Sequence, residues 1–229
     1  MRKLFITVIS CLCLMSCREA GRNAAISIYA DSLPVWETVD VALTVRDTCG
    51  GSDNVMTVKT AWSKDSLYLF FQVEDADLRC VQREDDHPKL FLDDMVEFLF
   101  DPRNDRGEKW IEDDIIYHIN LFGFKKDDRG TPEGVSNPVW DGTGRYSVSI
   151  HGTINDTSDT DEGYDVEVAL PWTELGVCPH DGLVLGADFV CGDNDGTGRQ
   201  LFDWSGADPF RHPVQFKDFV LCCKSRLWL

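Results

Sequence analysis

Basic residues are scarce in this chain, helical periodicity is nearly absent, and no hydrophobic run is long enough to cross a bilayer. Each shortage excludes something. Twenty-two Lys and Arg stand against forty Asp and Glu, a formal net charge of −18. Nucleic acid is therefore excluded as a partner, because phosphate binding draws on clustered cations. The plain reading of such a charge is solubility and mutual repulsion. The longest uncharged run, residues 4–17 with its apolar part at 4–15, falls far short of the roughly 20 residues a membrane-spanning helix needs. No Cys-x-x-Cys pair is present, so a zinc site has no support. Ser, His and Cys are scattered without a nucleophile elbow, which leaves a nucleophilic triad without a motif. With no linker, internal repeat or low-complexity block, the chain reads as one domain.

What is present begins at the N-terminus. Arg2 and Lys3 precede the apolar run, and the small Ser16 is followed by Cys17. That pattern is a secretion signal. Leu14-Met15-Ser16-Cys17 resembles the lipobox of bacterial lipoproteins, which implies that residues 1–16 are removed and that Cys17 carries the lipid. Val8-Ile9-Ser10-Cys11 competes, but cleavage there leaves too short an apolar core. Losing Arg2 and Lys3 takes the net charge from −18 to −20. Several acyl chains hold a protein to a bilayer firmly, so the expectation is a lipid-anchored protein of the cell envelope, at the outer membrane on its periplasmic or surface face. Residues 17–25 would be the tether and residues 26–229 the folded domain. Six cysteines remain after processing: Cys49, Cys80, Cys178, Cys191, Cys222 and Cys223. Export permits disulfides among them, but a domain of this size does not need stapling, and buried free thiols are the expectation.

Alternation of period two recurs along the chain. In Tyr164-Asp165-Val166-Glu167-Val168-Ala169-Leu170, Tyr164, Val166, Val168 and Leu170 face one way while Asp165 and Glu167 face the other, a half-buried strand. Residues 55–62, 67–73, 95–100, 115–121, 146–151, 183–191 and 216–223 read similarly. Turns rich in Asp, Asn and Gly are placed at residues 101–107, 127–134, 141–144 and 193–198. Residues 171–175 form one short helical turn. The whole predicts an all-β fold, an antiparallel β-sandwich of jelly-roll character.

The strand Asp94-Met95-Val96-Glu97-Phe98-Leu99-Phe100 is apolar on both faces except at Glu97. A carboxylate enclosed in this way needs a cation or a ligand to satisfy it. The strand at residues 115–121 puts His118 and Asn120 on the face opposite Tyr117 and Ile119. Glu97, His118 and Asn120 together suit the hydroxyls of a sugar, since carboxylates and amides meet vicinal hydroxyls with paired bonds. Sugar rings also pack on flat aromatics. Trp204 lies in the loop-like Phe202-Asp203-Trp204-Ser205-Gly206, and Phe91 lies just before the Glu97 strand. Trp110, Trp140 and Phe210 are further loop aromatics, whereas Trp36, Trp62 and Trp172 read as core.

Four blocks occur in order: Thr60 to Phe70, Asp94 to Asp101, Gly163 to Trp172, and Asp193-Asn194-Asp195 followed by Trp204-Ser205. The ordered set resembles carbohydrate-binding module family 9 over residues 26–224. The resemblance implies a β-sandwich that grips a mono- or oligosaccharide between two tryptophans and bonds its hydroxyls through an acidic strand residue with nearby Arg and Asn. By position Glu97 matches the acidic residue, Trp204 one tryptophan and Asn120 the asparagine. Phe91 stands near the other tryptophan and His118 at the arginine, departures that change which sugar fits. The family also implies structural calcium, for which Asp101, Asp193 and Asp195 are the candidate ligands. Glycan-degrading partner proteins would be consistent with such a module.

Two other readings use the same residues. A glycoside hydrolase needs two carboxylates across a cleft, and Asp93, Asp94 and Glu97 are the nearest group. Related sandwich domains hold haem through Met and His, here Met95 and His118. A purely structural role in a surface complex is the third.

Overall fold

The computed structural model describes residues 24–30, 32–196, 198–206 and 212–223. The signal sequence, Cys17 and Phe210 lie outside these residues. Among them are thirteen strands: β1 (Ala25–Tyr29), β2 (Val41–Arg46), β3 (Val55–Trp62), β4 (Ser66–Glu74), β5 (Met95–Asp101), β6 (Ile115–Asn120), β7 (Lys125–Gly130), β8 (Ser136–Asn137), β9 (Arg145–His151), β10 (Gly163–Pro171), β11 (Val184–Asp193), β12 (Gln200–Asp203) and β13 (Lys217–Cys222). One helical turn, α1 (Trp172–Leu175), follows β10 and ends on Gly176 at φ 68°. That left-handed position suits glycine, which has no Cβ to clash. No helix among the described residues is long and apolar enough to cross a membrane.

The strands form a single path, β8-β7-β6-β5-β11-β13-β1-β3-β4-β10-β9, with β12 added to β11 and β2 to β3. The path curls so that its two halves face each other. Phe71 of β4 lies 5.9 Å from Phe98 of β5 and 5.7 Å from Phe189 of β11, ring centre to ring centre. Each such ring contributes about 1.5–3 kcal/mol on leaving water, so this contact between halves fixes the closure. The fold is the expected β-sandwich. It is antiparallel except at β1, which runs parallel to both β13 and β3. Strand β1 joins the two halves of the path, and the antiparallel expectation fails only there.

Strands β1, β2, β8 and β12 have no counterpart among the segments expected from alternation. Residues 127–130, expected as a turn, belong to β7, paired with β6 on one side and β8 on the other. Its charges hid it: Lys125 Nζ donates to Asp127 and Asp141, so a strand without apolar alternation is neutralised internally. Trp36 is not core. It is half-buried on the outer face, stacked 5.3 Å from Phe70 and donating through Nε1 to Glu167 at 3.1 Å. Trp62 and Trp172 are buried as expected, with Nε1 donating to Cys222 O and Ser63 O. Among the cysteines, Cys80 and Cys191 are buried free thiols, while Cys49 and Cys178 are exposed ones.

One buried carboxylate positions the segment before β5. Asp93 accepts backbone N–H groups from Val81 and Gln82, each at 2.9 Å, and the Asn120 amide at 3.0 Å. It thereby ties the 79–82 segment to β6 directly beneath the 3-10 turn Leu90–Leu92 that carries Phe91. Asp93→Ala takes the acceptor from these three donors and from the buried Cys80 thiol, so a loss of about 3 kcal/mol is expected. Urea denaturation measures it, and a loss below about 1 kcal/mol would show that Asp93 holds nothing in place.

Candidate functional site

Every residue of β5 is buried. Alternation sends Val96, Phe98 and Phe100 into the main core, while Leu99 joins Trp110, Ile116, Val190 and Phe216 in a second apolar cluster. Glu97 shares the Leu99 face and stands in register with His118 of β6 and Val190 of β11. Its Oε2 lies 3.1 Å from His118 Nε2. On the other side of the imidazole, Nδ1 is 3.1 Å from Lys126 O. A carbonyl only accepts, so Nδ1 carries a proton. Both Glu97 oxygens are buried without a hydrogen bond, so the 3.1 Å separation from Nε2 is a close approach and not a directed bond. Each oxygen left in this state costs about 1–3 kcal/mol.

Beside this pair lies a cavity of about 1160 Å³. His118 and Val190 form part of its floor, and Phe91 and Trp204 part of its walls. Trp204 is fixed from behind: its ring stacks 5.8 Å from Phe189, and its backbone N–H donates to Phe189 O at 3.0 Å. Phe91 carries the Arg199 guanidinium 5.0 Å from its ring, with Arg199 Nη1 donating to Phe91 O at 2.9 Å. Phe91, His118 and Trp204 thus share one cavity, and Glu97 stands between His118 and Val190 in the same row of side chains without itself being part of the lining. Asn120 is not part of the lining. Its amide is spent on Gln82 O, Asp93 and the Phe124 N–H, all within the protein. Arg199 escaped sequence reasoning because nothing in Gly198-Arg199-Gln200 marks it. Trp110 is buried against Phe216, and Trp140 packs on Tyr117. Neither reaches the cavity. Met95 is buried against Gly192.

The acidic candidates fall into groups. Asp75, Asp94 and Asp193 place carboxylate oxygens within 4.8 Å of one another, as do Asp53, Asp193 and Asp195, and also Asp101, Asp105 and Asp113. Burial, reinforced by the neighbouring carboxylates, pushes Asp94 up to about 9 and Asp75 and Asp193 up to about 6. Both oxygens of Asp193 are buried without a hydrogen bond. An all-oxygen donor set of this kind fits calcium rather than a softer metal. Asp53, Asp75 and Asp94 were not foreseen, because they reach Asp193 from distant parts of the chain.

Asp188 of β11 supports the Trp204 loop. Its Oδ1 accepts Phe189 N at 2.8 Å and Ser205 N at 3.1 Å, and Oδ2 is buried without a partner. Burial, and then the charge of Asp203, push its pKa up to about 7. A raised value means that its stability contribution is complete below about 4 and is lost as pH rises through 7. Asp188→Asn removes this dependence. The melting temperature of the variant relative to the parent is expected to rise by a few degrees between pH 4.5 and 8, about 2–4 °C per kcal/mol. A constant difference would show that Asp188 does not titrate there.

The sequence matches the family described as Carbohydrate family 9 binding domain-like over residues 31–221. Exoglucanase XynX from Acetivibrio thermocellus is 27% identical over 175 residues, 76% of this chain but 14% of its own length. The chain therefore spans about a seventh of that curated relative. Two solved structures share the fold, both of a family 9 carbohydrate binding module from Caldicellulosiruptor kristjanssonii. The complex with cellotriose has a TM-score of 0.68 at 18% identity, covering 90% of this chain and 97% of that one. The complex with glucose has a TM-score of 0.62 at 19% identity, covering 89% and 98%. With most of its described residues inside the family match, and a sandwich of the same fold around a cavity walled by Trp204 and Phe91, this chain belongs to the family 9 carbohydrate-binding domains.

Proposed function

We propose that the protein is a non-catalytic saccharide-binding module, held to the cell envelope by lipid on Cys17, that captures a mono- or oligosaccharide for glycan-degrading partners. The observation that carries this reading is the meeting of Trp204, Phe91 and His118 in one cavity, with the underbonded Glu97 beside His118. A pyranose packs its C–H face on Trp204, whose indole is already immobilised by Phe189. His118 then lines the cavity with its imidazole, whose orientation is set by Lys126 O on one side and Glu97 on the other. Anchoring rests on the Arg2-Lys3 start, the apolar run and the lipobox ending in Cys17. An outer-membrane location follows from the same motif.

Catalysis is disfavoured by how the cavity carboxylates are occupied. Asp203 accepts Ser205 Oγ and Gly206 N, and Asp47 accepts three backbone N–H groups. A hydrolase needs one such group protonated and another free to attack or to activate water. Asp93 is likewise consumed by the backbone. Haem ligation is disfavoured because His118 is buried with Nδ1 on Lys126 O and Nε2 turned to Glu97, and Met95 is enclosed.

Calorimetry with glucose and cellotriose tests the site. Trp204→Ala is expected to weaken binding at least tenfold, about 1.4 kcal/mol, and Glu97→Gln to weaken it by a similar factor through His118. Unchanged affinity in both would remove the assignment.

Calcium, if held, would be bound by Asp75, Asp94 and Asp193, with Asp53 and Asp195 beside them, and by Asp101, Asp105 and Asp113 at the second group. The ion would relieve the repulsion that raises these carboxyl groups. Thermal denaturation in calcium against EGTA should show stabilisation, about 2.7 kcal/mol at a hundredfold excess over Kd. Asp193→Asn should abolish most of it. Identical melting in both buffers would rule the sites out.

A further inference from the structure

A second cavity, of about 390 Å³, opens on the other half of the sandwich. It lies on the outward face of β4, β9 and β10, and period-two alternation builds it. In β10, Val166, Val168 and Leu170 point into the core, so Glu167 and Ala169 point outward. Ala169 stands in register between Arg145 of β9 and Tyr68 of β4, and Glu167 stands between Ser147 and Phe70. A methyl group between a guanidinium stem and a phenol leaves a notch in an otherwise bulky row. Leu33 and Pro34 border it from the segment before β2.

Trp36 walls this notch and is held much as Trp204 is. Its ring stacks on Phe70 at 5.3 Å and 26°, where Trp204 stacks on Phe189 at 5.8 Å and 22°. Its Nε1 donates to Glu167 Oε2 at 3.1 Å, and Lys59 Nζ donates to Trp36 O at 2.9 Å. Ring and backbone are both tied, so a ligand meets an aromatic surface that has already lost its rotamer freedom. Tyr68 is fixed as well, its hydroxyl 3.3 Å from Ser63 Oγ.

The polar groups at the rim are of three kinds. Glu167 accepts, Arg145 donates and the Ser147 hydroxyl does both, and all three are exposed. Fixed rings with an acceptor, a donor and a hydroxyl at their edge suit a sugar, which presents C–H groups on its face and hydroxyls around it. An apolar ligand would instead strip water from Arg145 and Glu167 without replacing it. The volume is near the lower end of the roughly 300–1,000 Å³ that small ligands use, enough for one or two rings. We propose that this cavity is a second saccharide site, taking one or two pyranose rings against Trp36 and Tyr68 with their hydroxyls at Glu167, Ser147 and Arg145. The inference rests on the saccharide-binding reading above and extends it: with one site on each half, the module engages two sugar segments at once.

Heteronuclear NMR on the isotope-labelled full chain, titrated with glucose and with cellotriose, separates the two sites, because the indole N–H signals of Trp36 and Trp204 each report one cavity. Trp36→Phe and Trp204→Ala assign those signals. Trp204→Ala should leave a saturable shift at Trp36 in place. Ala169→Leu, which fills the notch, should weaken binding at Trp36 at least about tenfold and leave the Trp204 titration unchanged, with unshifted Trp62 and Trp172 signals reporting an intact fold. A Trp36 signal unmoved by both sugars while Trp204 responds would overturn the inference and leave the saccharide reading standing. A Trp36 shift that disappears with Trp204→Ala, or persists undiminished in Ala169→Leu, would also overturn it. A response at Trp36 alone would keep this site and remove the one at Trp204. No response at either tryptophan removes both.

Discussion

Burial of β5 on both faces is the constraint from which the site follows. A strand with one wet face can place a polar residue there at no cost, but β5 lies between β6 and β11 and is covered above and below. Period-two alternation then admits no compromise. Shifting the register by one residue would drive Glu97 into the cluster of Phe71, Phe98 and Phe189 and bring Phe98 out beside His118. The aromatic core therefore holds the register, and the register holds Glu97 opposite His118. Trp204 depends on the same core through its stack on Phe189, so both halves of the site are referred to one set of rings.

The acidic residues do three different things, although composition presents them as one excess. Some are buried acceptors that organise loops: Asp93 holds Val81 and Gln82, and Asp161 holds Leu78 and Thr153. Others face one another, as Asp75, Asp94 and Asp193 do, at a cost that burial amplifies. Others, such as Asp65 and Asp141, are exposed and bear on solubility. A net charge of −18 is consequently a poor guide to the field at any one place. Solubility and repulsion, the plain reading of the charge, account for the surface acids but not for the buried ones.

How much of this was legible depended on whether a residue's environment is set locally. Strands β3, β4, β5, β6, β9, β10, β11 and β13 alternate or run apolar, and α1 is marked by Pro171 and closed by Gly176, so these could be read directly. Strand β7 could not, because Lys125 and Asp127 satisfy each other and the apolar signal is missing. Trp36 misled for the opposite reason: its neighbours in sequence are apolar, but it lies on the outer face with Glu167. Within the site, Glu97 was legible as the polar exception of an apolar strand. Asn120 was legible as a polar strand residue, but not as one already taken by Asp93 and Gln82. The cations were invisible, since Arg46, Lys126, Arg199 and Lys217 come from four separate segments that only the fold brings together.

Those cations also separate what the family determines from what it does not. The sandwich supplies the scaffold and the aromatic wall, and both follow from core packing that many sequences can satisfy. Ligand choice is carried by side chains whose replacement leaves that packing intact, and these are where the chain departs from the pattern of its family. Arg199, from the segment after β11, lies over the Phe91 ring and donates to its carbonyl, so a guanidinium and one aromatic wall of the cavity are held together. Trp204 is fixed separately, by its stack on Phe189 of the core. Replacing Arg199 or Phe91 therefore alters the cavity without disturbing the rings on which the closure of the sandwich depends.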